Sequence, residues 1–238
     1  MSHFEERRAI ALAETTDLLT IQLLNLFPRM VSHPAPSGVA EICYQDGDMG
    51  GAIACSQSEI RLLNLFGKYA QKTPCLEIGS YVGWSSAALL YNNPQMTLHC
   101  VDAFVEQAGY LHIEPDQTVI DRFTENMRAA GLSERIVLHI DWSPGCIPGI
   151  SEQPWGLVFL DGWHLDGQPA KDVDGIIPWM ADDGVLILHD VWMQDVYAAA
   201  RGLLFKGWHM TVFPTANTLA VLYRVEPAWW KRFLKEAI

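Results

Sequence analysis

The sequence predicts an α/β fold: a doubly wound, mostly parallel sheet of about seven strands, closed by an antiparallel hairpin and preceded by an N-terminal helical cap. Three observations carry this expectation. A short apolar run, Cys75 to Ile78, follows Pro74 and leads through a glycine turn into a helix. Further apolar runs at Met96–Val101, Arg135–Ile140, Pro154–Leu160 and Gly184–Leu188 alternate with helical stretches, which is the pattern of parallel strands joined by crossover helices. The last two runs, Trp208–Phe213 and Leu219–Val225, are separated only by Pro214 to Thr218 and read as a hairpin.

Composition narrows the classes of function. The chain has 238 residues, 50% hydrophobic and 18% charged, enough apolar material for a sizeable core and too little charge for a disordered chain. Its formal net charge of −12, with no dense Lys/Arg run, argues against a nucleic-acid partner. The N-terminus lacks the apolar segment of a signal peptide, and no run reaches the ~18 apolar residues of a membrane span. The cysteines Cys43, Cys55, Cys75, Cys100 and Cys146 are scattered and odd in number, with no C-x-x-C pair. They read as reduced core cysteines of a cytoplasmic protein.

From Phe4 to Phe27 apolar residues recur at helical spacing until Pro28 ends the run. This segment reads as a cap on the main domain or as a contact with a second subunit, giving residues 1–55 as cap and 56–238 as the main domain. Pro34 to Gly38 is a turn, and Asp46 to Gly51 a flexible stretch before a helix spanning Ser56 to Ala70.

The glycine turn points to a cofactor. Glu77-Ile78-Gly79-Ser80-Tyr81-Val82-Gly83 has the pattern E-x-G-x-x-x-G, not the G-x-G-x-x-G of a dinucleotide site. An acid at the end of the first strand suits a cationic, amino-acid-like group better than a pyrophosphate. S-adenosylmethionine (SAM) carries both a sulfonium and an ammonium. The run Leu76 to Ser85 resembles the first motif of the class I SAM-dependent methyltransferases, a Rossmann-like family, and most closely its catechol-type and bacterial small-molecule metal-dependent O-methyltransferase branch. The resemblance implies cofactor contacts from Glu77, Gly79, Ser80, Tyr81, Gly83 and Ser85, with Tyr81 and Ser85 holding the methionyl part. It also implies contacts from backbone near Met49–Gly51.

Further contacts follow along the chain. Asp102 ends the second strand, 23 residues past Gly79, where an acid can accept hydrogen bonds from ribose hydroxyls. Ala103 to Thr118 reads as an insertion covering the cofactor or shaping the substrate pocket. Trp142 and Ser143 follow the strand at Arg135–Ile140, where the family places groups against the adenine ring; an ordinary turn leading into Pro144-Gly145 explains them equally well.

Two neighbouring strand tips carry acid–histidine pairs: Asp161 with His164, and His189 with Asp190. Carboxylate and imidazole donors clustered at carboxyl ends of strands suit a divalent cation. The family holds magnesium here through an aspartate matching Asp161, and its second tip carries Asp-Asn where this chain has His189-Asp190. The resemblance implies Asp161 and Asp190 as ligands, with His189 a further candidate at the position where the family differs; an imidazole there loosens the preference for magnesium toward other divalent ions. The family's basic lysine is replaced by His164, a residue type that can accept a hydroxyl proton without the large pKa depression a lysine requires. Trp163 matches a tryptophan packed beside the cofactor. The expected activity is methyl transfer to a hydroxyl of a small molecule, with no nucleic acid or membrane as partner. A metal-dependent hydroxylase-like enzyme, its iron held by two histidines and a carboxylate, is one alternative; a non-catalytic SAM-binding protein is the other.

Overall fold

The apolar runs become strands of one seven-stranded sheet. The structure, a computed structural model, describes residues 22, 23, 25–27, 30–34, 40–44, 53–70, 73–105 and 115–237. Strands β1 (Met30–Pro34), β2 (Ala40–Tyr44) and β3 (Ile53–Ala54) form a small antiparallel sheet of their own. The large sheet contains β4 (Cys75–Ile78), β5 (Leu98–Asp102), β6 (Ile136–Ile140), β7 (Trp155–Leu160), β8 (Met180–Leu188), β9 (His209–Phe213) and β10 (Leu219–Tyr223). Their order is β6-β5-β4-β7-β8-β10-β9, with β10 antiparallel to both its neighbours. The helices are α1 (Gln57–Tyr69), α2 (Trp84–Tyr91), α3 (Gln117–Ala129), the single turn α4 (Ile147–Ile150), α5 (Gln168–Ile176), α6 (Gln194–Phe205) and α7 (Trp230–Ala237).

Period-two alternation sends successive strand residues to opposite faces, and each face is covered by helices. Cys75, Leu98, Cys100, Leu157, Phe159, Val185 and Ile187 pack with α1, α2, α3 and α7. Leu76, Ile78, Val101, Val158, Leu160, Leu186 and Leu188 pack with α5 and α6. Trp230 and Phe233 of the last helix belong to the core, and Phe233 stacks on Phe66 with ring centroids 4.2 Å apart.

Two local readings change. The strand read as Gly184–Leu188 begins earlier, at Met180, because the β7–β8 pairing jumps from Trp155↔Met180 to Leu157↔Val185. The turn-forming residues are taken up in that bulge, and Trp155 falls on the same face as Val158 and Leu160. In the N-terminal region, where the sequence suggests only turns and a flexible stretch after the helical run, β1 to β3 pair with one another. Most of the helical run itself, together with Met49 to Gly51 and the middle of the insertion (106–114), lies outside the described residues.

Candidate active site

Chain direction across the sheet reverses between β4 and β7: β5 and β6 extend from one side of β4, β7 and β8 from the other. Ligands of open α/β sheets bind at the carboxyl ends of the strands flanking such a reversal. Gly79 and Asp161 sit there, one residue past β4 and β7, with the Asp161 N–H bonded to the Ile78 carbonyl at 2.8 Å. Gly79 has φ +85°, and a Cβ on it would collide with the Asp161 carbonyl. Its lack of a side chain lets the two strand tips meet. Gly83 also has φ +85°, and the space beside it is filled by Met127 and Phe123 of α3, so its missing Cβ admits a neighbouring helix.

The acids of the turn are engaged by neutral donors. Asp102 accepts the N–H groups of Ser80 (2.8 Å) and Tyr81 (2.7 Å) on one oxygen and of Phe104 (2.7 Å) on the other. Glu77 is fully buried behind the turn, where it accepts the hydroxyls of Ser80 (2.9 Å) and Ser86. Its other oxygen, Oε1, makes no hydrogen bond to the described residues. Burial dominates for both acids and raises them above the usual carboxylate range despite these donors. Ser85 is buried and Tyr81 half-buried at the start of α2. Trp142 is 51% exposed beyond β6, while Ser143 is tied to α5 through its carbonyl, which accepts Gln168 Nε2 at 2.9 Å. Trp163 is half-buried, its Nε1 3.5 Å from Asp166 Oδ2.

The second pair of tips forms a charged cluster. His164 Nε2 lies 3.2 Å from Asp161 Oδ1 and 3.5 Å from Asp190 Oδ2. His189 Nδ1 lies 2.9 Å from Asp161 Oδ1 and 3.2 Å from Asp190 Oδ2. Asp190 takes a left-handed backbone conformation (φ 56°), tolerated by aspartate and frequent at functional sites. Its Oδ1 accepts the indole N–H of the exposed Trp192 at 2.8 Å. Behind His189 stands a residue absent from the sequence reading: Glu59, fully buried, with Oε2 3.3 Å from His189 Nε2. Cys55 Sγ is 3.8 Å from the same nitrogen.

Glu59 comes from the first turn of α1. Ser56 and Glu59 form a reciprocal capping box, and the Ser56 N–H donates to Glu59 Oε2 at 2.6 Å. Asn217, in the β9–β10 turn, adds its backbone N–H (2.7 Å, to Oε1) and its side-chain amide (3.2 Å, to Oε2). The spacing Ser56-x-x-Glu59 was visible in the sequence, but it signals only a helix start. Its second task depends on the fold.

Here neighbouring charge overrides burial. Burial alone would raise Asp161, but His189 and His164 beside it hold it at about 2. Glu59 is likewise held at about 2, against its burial, by His189 and by the Ser56 and Asn217 amides. Burial would lower His189; Asp161, Cys55 and Asp190 keep it well above the ordinary imidazole value. The Cys55 thiol is pushed up to about 12, chiefly by burial.

The arrangement fits a divalent ion. Asp161, His164, Asp190 and His189 offer donor atoms all within 4.8 Å of one another. Ligand bonds of about 2.1 Å set neighbouring ligands at right angles roughly 3.0 Å apart, close to the 2.9–3.5 Å observed around this ring. His189 Nδ1 is buried and makes no in-line hydrogen bond although two carboxylates crowd it. A separate cleft of about 290 Å³, lined by Thr73, Thr97, His99 and Trp155, lies at the amino ends of the strands, away from this chemistry.

Comparison with known proteins agrees with the geometry. Residues 76–191 match the family model described as a methyltransferase domain. An O-methyltransferase from Bacillus cereus, solved with SAH, is 12% identical with a TM-score of 0.61, covering 92% of this chain and 98% of that one. The O-methyltransferase TomG of Streptomyces achromogenes, involved in tomaymycin synthesis and solved with SAM, is 14% identical with a TM-score of 0.60, covering 94% and 99%. The SAH-bound methyltransferase PaMTH1 of Podospora anserina is 15% identical with a TM-score of 0.55, covering 67% and 75%. No curated protein matches the chain by sequence. The chain thus carries a segment that matches a methyltransferase domain, and it shares the fold of solved SAM- and SAH-bound methyltransferases.

Proposed function

We propose that the protein transfers the methyl group of SAM to a hydroxyl oxygen of a small molecule, assisted by a divalent metal ion. The observation that carries this reading is the joining of the glycine turn to the acid–histidine cluster through the contact between Gly79 and Asp161. Both solved neighbours described as O-methyltransferases were crystallised with SAM or SAH, which supports the choice of cofactor and acceptor atom.

The sulfonium already makes the methyl electrophilic, so the protein's task is to align the acceptor and take its proton. The turn residues Gly79 to Ser85, with Asp102, Trp142 and Trp163, line the cofactor side. Asp161, His189 and Asp190 are the ligands we assign to the metal, magnesium or another divalent ion. When bound, the metal lowers the pKa of a hydroxyl it contacts. His164, partly exposed beside Asp161 and Asp190, is the group we assign to receive the proton as the new C–O bond forms and the C–S bond breaks. Holding oxygen, methyl carbon and sulfur in line is the proximity contribution.

The test is incubation with SAM, a divalent ion and a panel of phenolic, sugar and polyketide-type alcohols, followed by mass analysis. A product heavier by one methyl group on oxygen, with SAH formed in equal amount, is expected; methylation confined to nitrogen or carbon would overturn the reading. His164→Ala should lower turnover by ~10²–10⁴-fold, with SAM affinity unchanged by calorimetry.

A further inference from the structure

The two ring nitrogens of His189 serve different neighbours. Nδ1 points among the carboxylates, 2.9 Å from Asp161 Oδ1 and 3.2 Å from Asp190 Oδ2, without an in-line hydrogen bond to either. Nε2 faces away from them, 3.3 Å from Glu59 Oε2. Glu59 cannot swing aside, because the Ser56 amide and both nitrogens of Asn217 hold its two oxygens. It is also 0% exposed, so no water competes for the imidazole. A metal-bound imidazole characteristically gives its other N–H to a carboxylate, which fixes the tautomer and raises the ligand's basicity. The capping box alone does not require an imidazole against Glu59, and a simple ion pair does not require His189 Nδ1 to stand between two further acids.

We propose that Glu59 is a positioning residue that presents His189 Nδ1 as a nitrogen ligand, and that the centre therefore takes a first-row transition ion such as Mn(II), Fe(II) or Co(II) in preference to Mg(II). The inference rests on the metal-assisted reading above and specifies its metal. Magnesium favours an all-oxygen shell, whereas imidazole suits transition ions. A carboxylate behind the imidazole strengthens that bias.

The experiment loads the full chain with Mn(II) and reads the bound ion by electron paramagnetic resonance, with pulsed measurement of coupling to nitrogen. Expected are a ¹⁴N coupling on bound Mn(II) that persists in His164→Ala and disappears in His189→Ala, and Mn(II) binding at least tenfold tighter than Mg(II) by competition. Histidine labelled with ¹⁵N in the wild-type and His164→Ala proteins gives the same answer if His189→Ala does not fold. Glu59→Gln should weaken Mn(II) binding by about 10–100-fold. Ser56→Ala, which removes the reciprocal cap but keeps the carboxylate, should lower Tm and leave Mn(II) affinity in place. Bound Mn(II) without nitrogen coupling, a coupling lost with His164 instead of His189, no preference over Mg(II), or equal loss of affinity in Ser56→Ala and Glu59→Gln would each overturn the inference and leave methyl transfer standing. Failure of any divalent ion to bind would overturn the metal-assisted reading together with it.

Discussion

Two pairs of buried acids meet at the carboxyl ends of this sheet, and their protonation is pushed in opposite directions. Glu77 and Asp102, around the glycine turn, are met by neutral hydroxyl, thiol and amide donors, and burial lifts both above the usual carboxylate range. Glu59 and Asp161, a few residues across the reversal point, flank His189 and are held at about 2. All four are largely removed from water. The difference is an imidazole, so in this molecule the neighbouring charge, not the depth of burial, sets the character of each acid. One side of the crevice is a hydrogen-bonded scaffold; the other is an ionic centre.

That contrast can be tested by substitution. The largest effect is expected for His189→Leu, which leaves Glu59 and Asp161 buried without their cation. Unfolding in urea should show a loss of about 3–5 kcal/mol, and a loss under 1 kcal/mol would remove the ionic centre as a stabilising unit. Gly79→Ala comes next, because it strikes the seam between the two sides. A left-handed alanine driven against the Asp161 carbonyl should cost on the order of 1–3 kcal/mol and weaken both SAM and metal binding in calorimetry. If only one of the two affinities falls, the sides are not joined there.

A smaller effect, of opposite sign, is expected for Glu77→Gln. An acid whose folded pKa is raised stabilises the fold below its unfolded value of about 4.3, and that contribution is lost as pH rises through the folded value. Glu77→Gln should therefore raise Tm relative to wild type at neutral pH, the difference shrinking toward pH 4, while SAM binding weakens. The lowered acids run the other way: their contribution is present above the ordinary carboxylate range and lost as pH falls through about 2. A Tm difference independent of pH would contradict the assigned direction for Glu77. The smallest effect belongs to Trp142→Ala. With half its surface in water, the change should move stability by no more than about 0.5 kcal/mol. Weakened SAM binding at constant Tm would mark Trp142 as an adenine contact; unchanged binding would leave it an ordinary turn residue.

How legible this was from the sequence depended on whether the signal was local. The strands of the large sheet are bounded by Pro, Gly and Asp and read cleanly, and their tips placed Asp161, His164, His189 and Asp190 together. β8 was shortened in the reading because Asp182-Asp183-Gly184 has turn chemistry; pairing with β7 absorbs it as a bulge. Glu59 could be recognised as a cap but not as a partner of His189, because that contact joins residues 130 positions apart (189 − 59) through packing alone. What packs against Gly83 was hidden for a similar reason: the side chains that need its missing Cβ, Phe123 and Met127, come from a helix some forty residues later.

The clasp between Asn217 and Glu59 spans 158 residues. During translation, the glycine turn and its helix leave the ribosome long before the β9–β10 hairpin does. A nascent chain can thus shape the glycine-turn side of its crevice early, while the carboxylate behind His189 gains two of its donors only once Asn217 has emerged. The ionic half of the crevice is completed after the glycine turn, and truncation just before that hairpin would leave it unfinished.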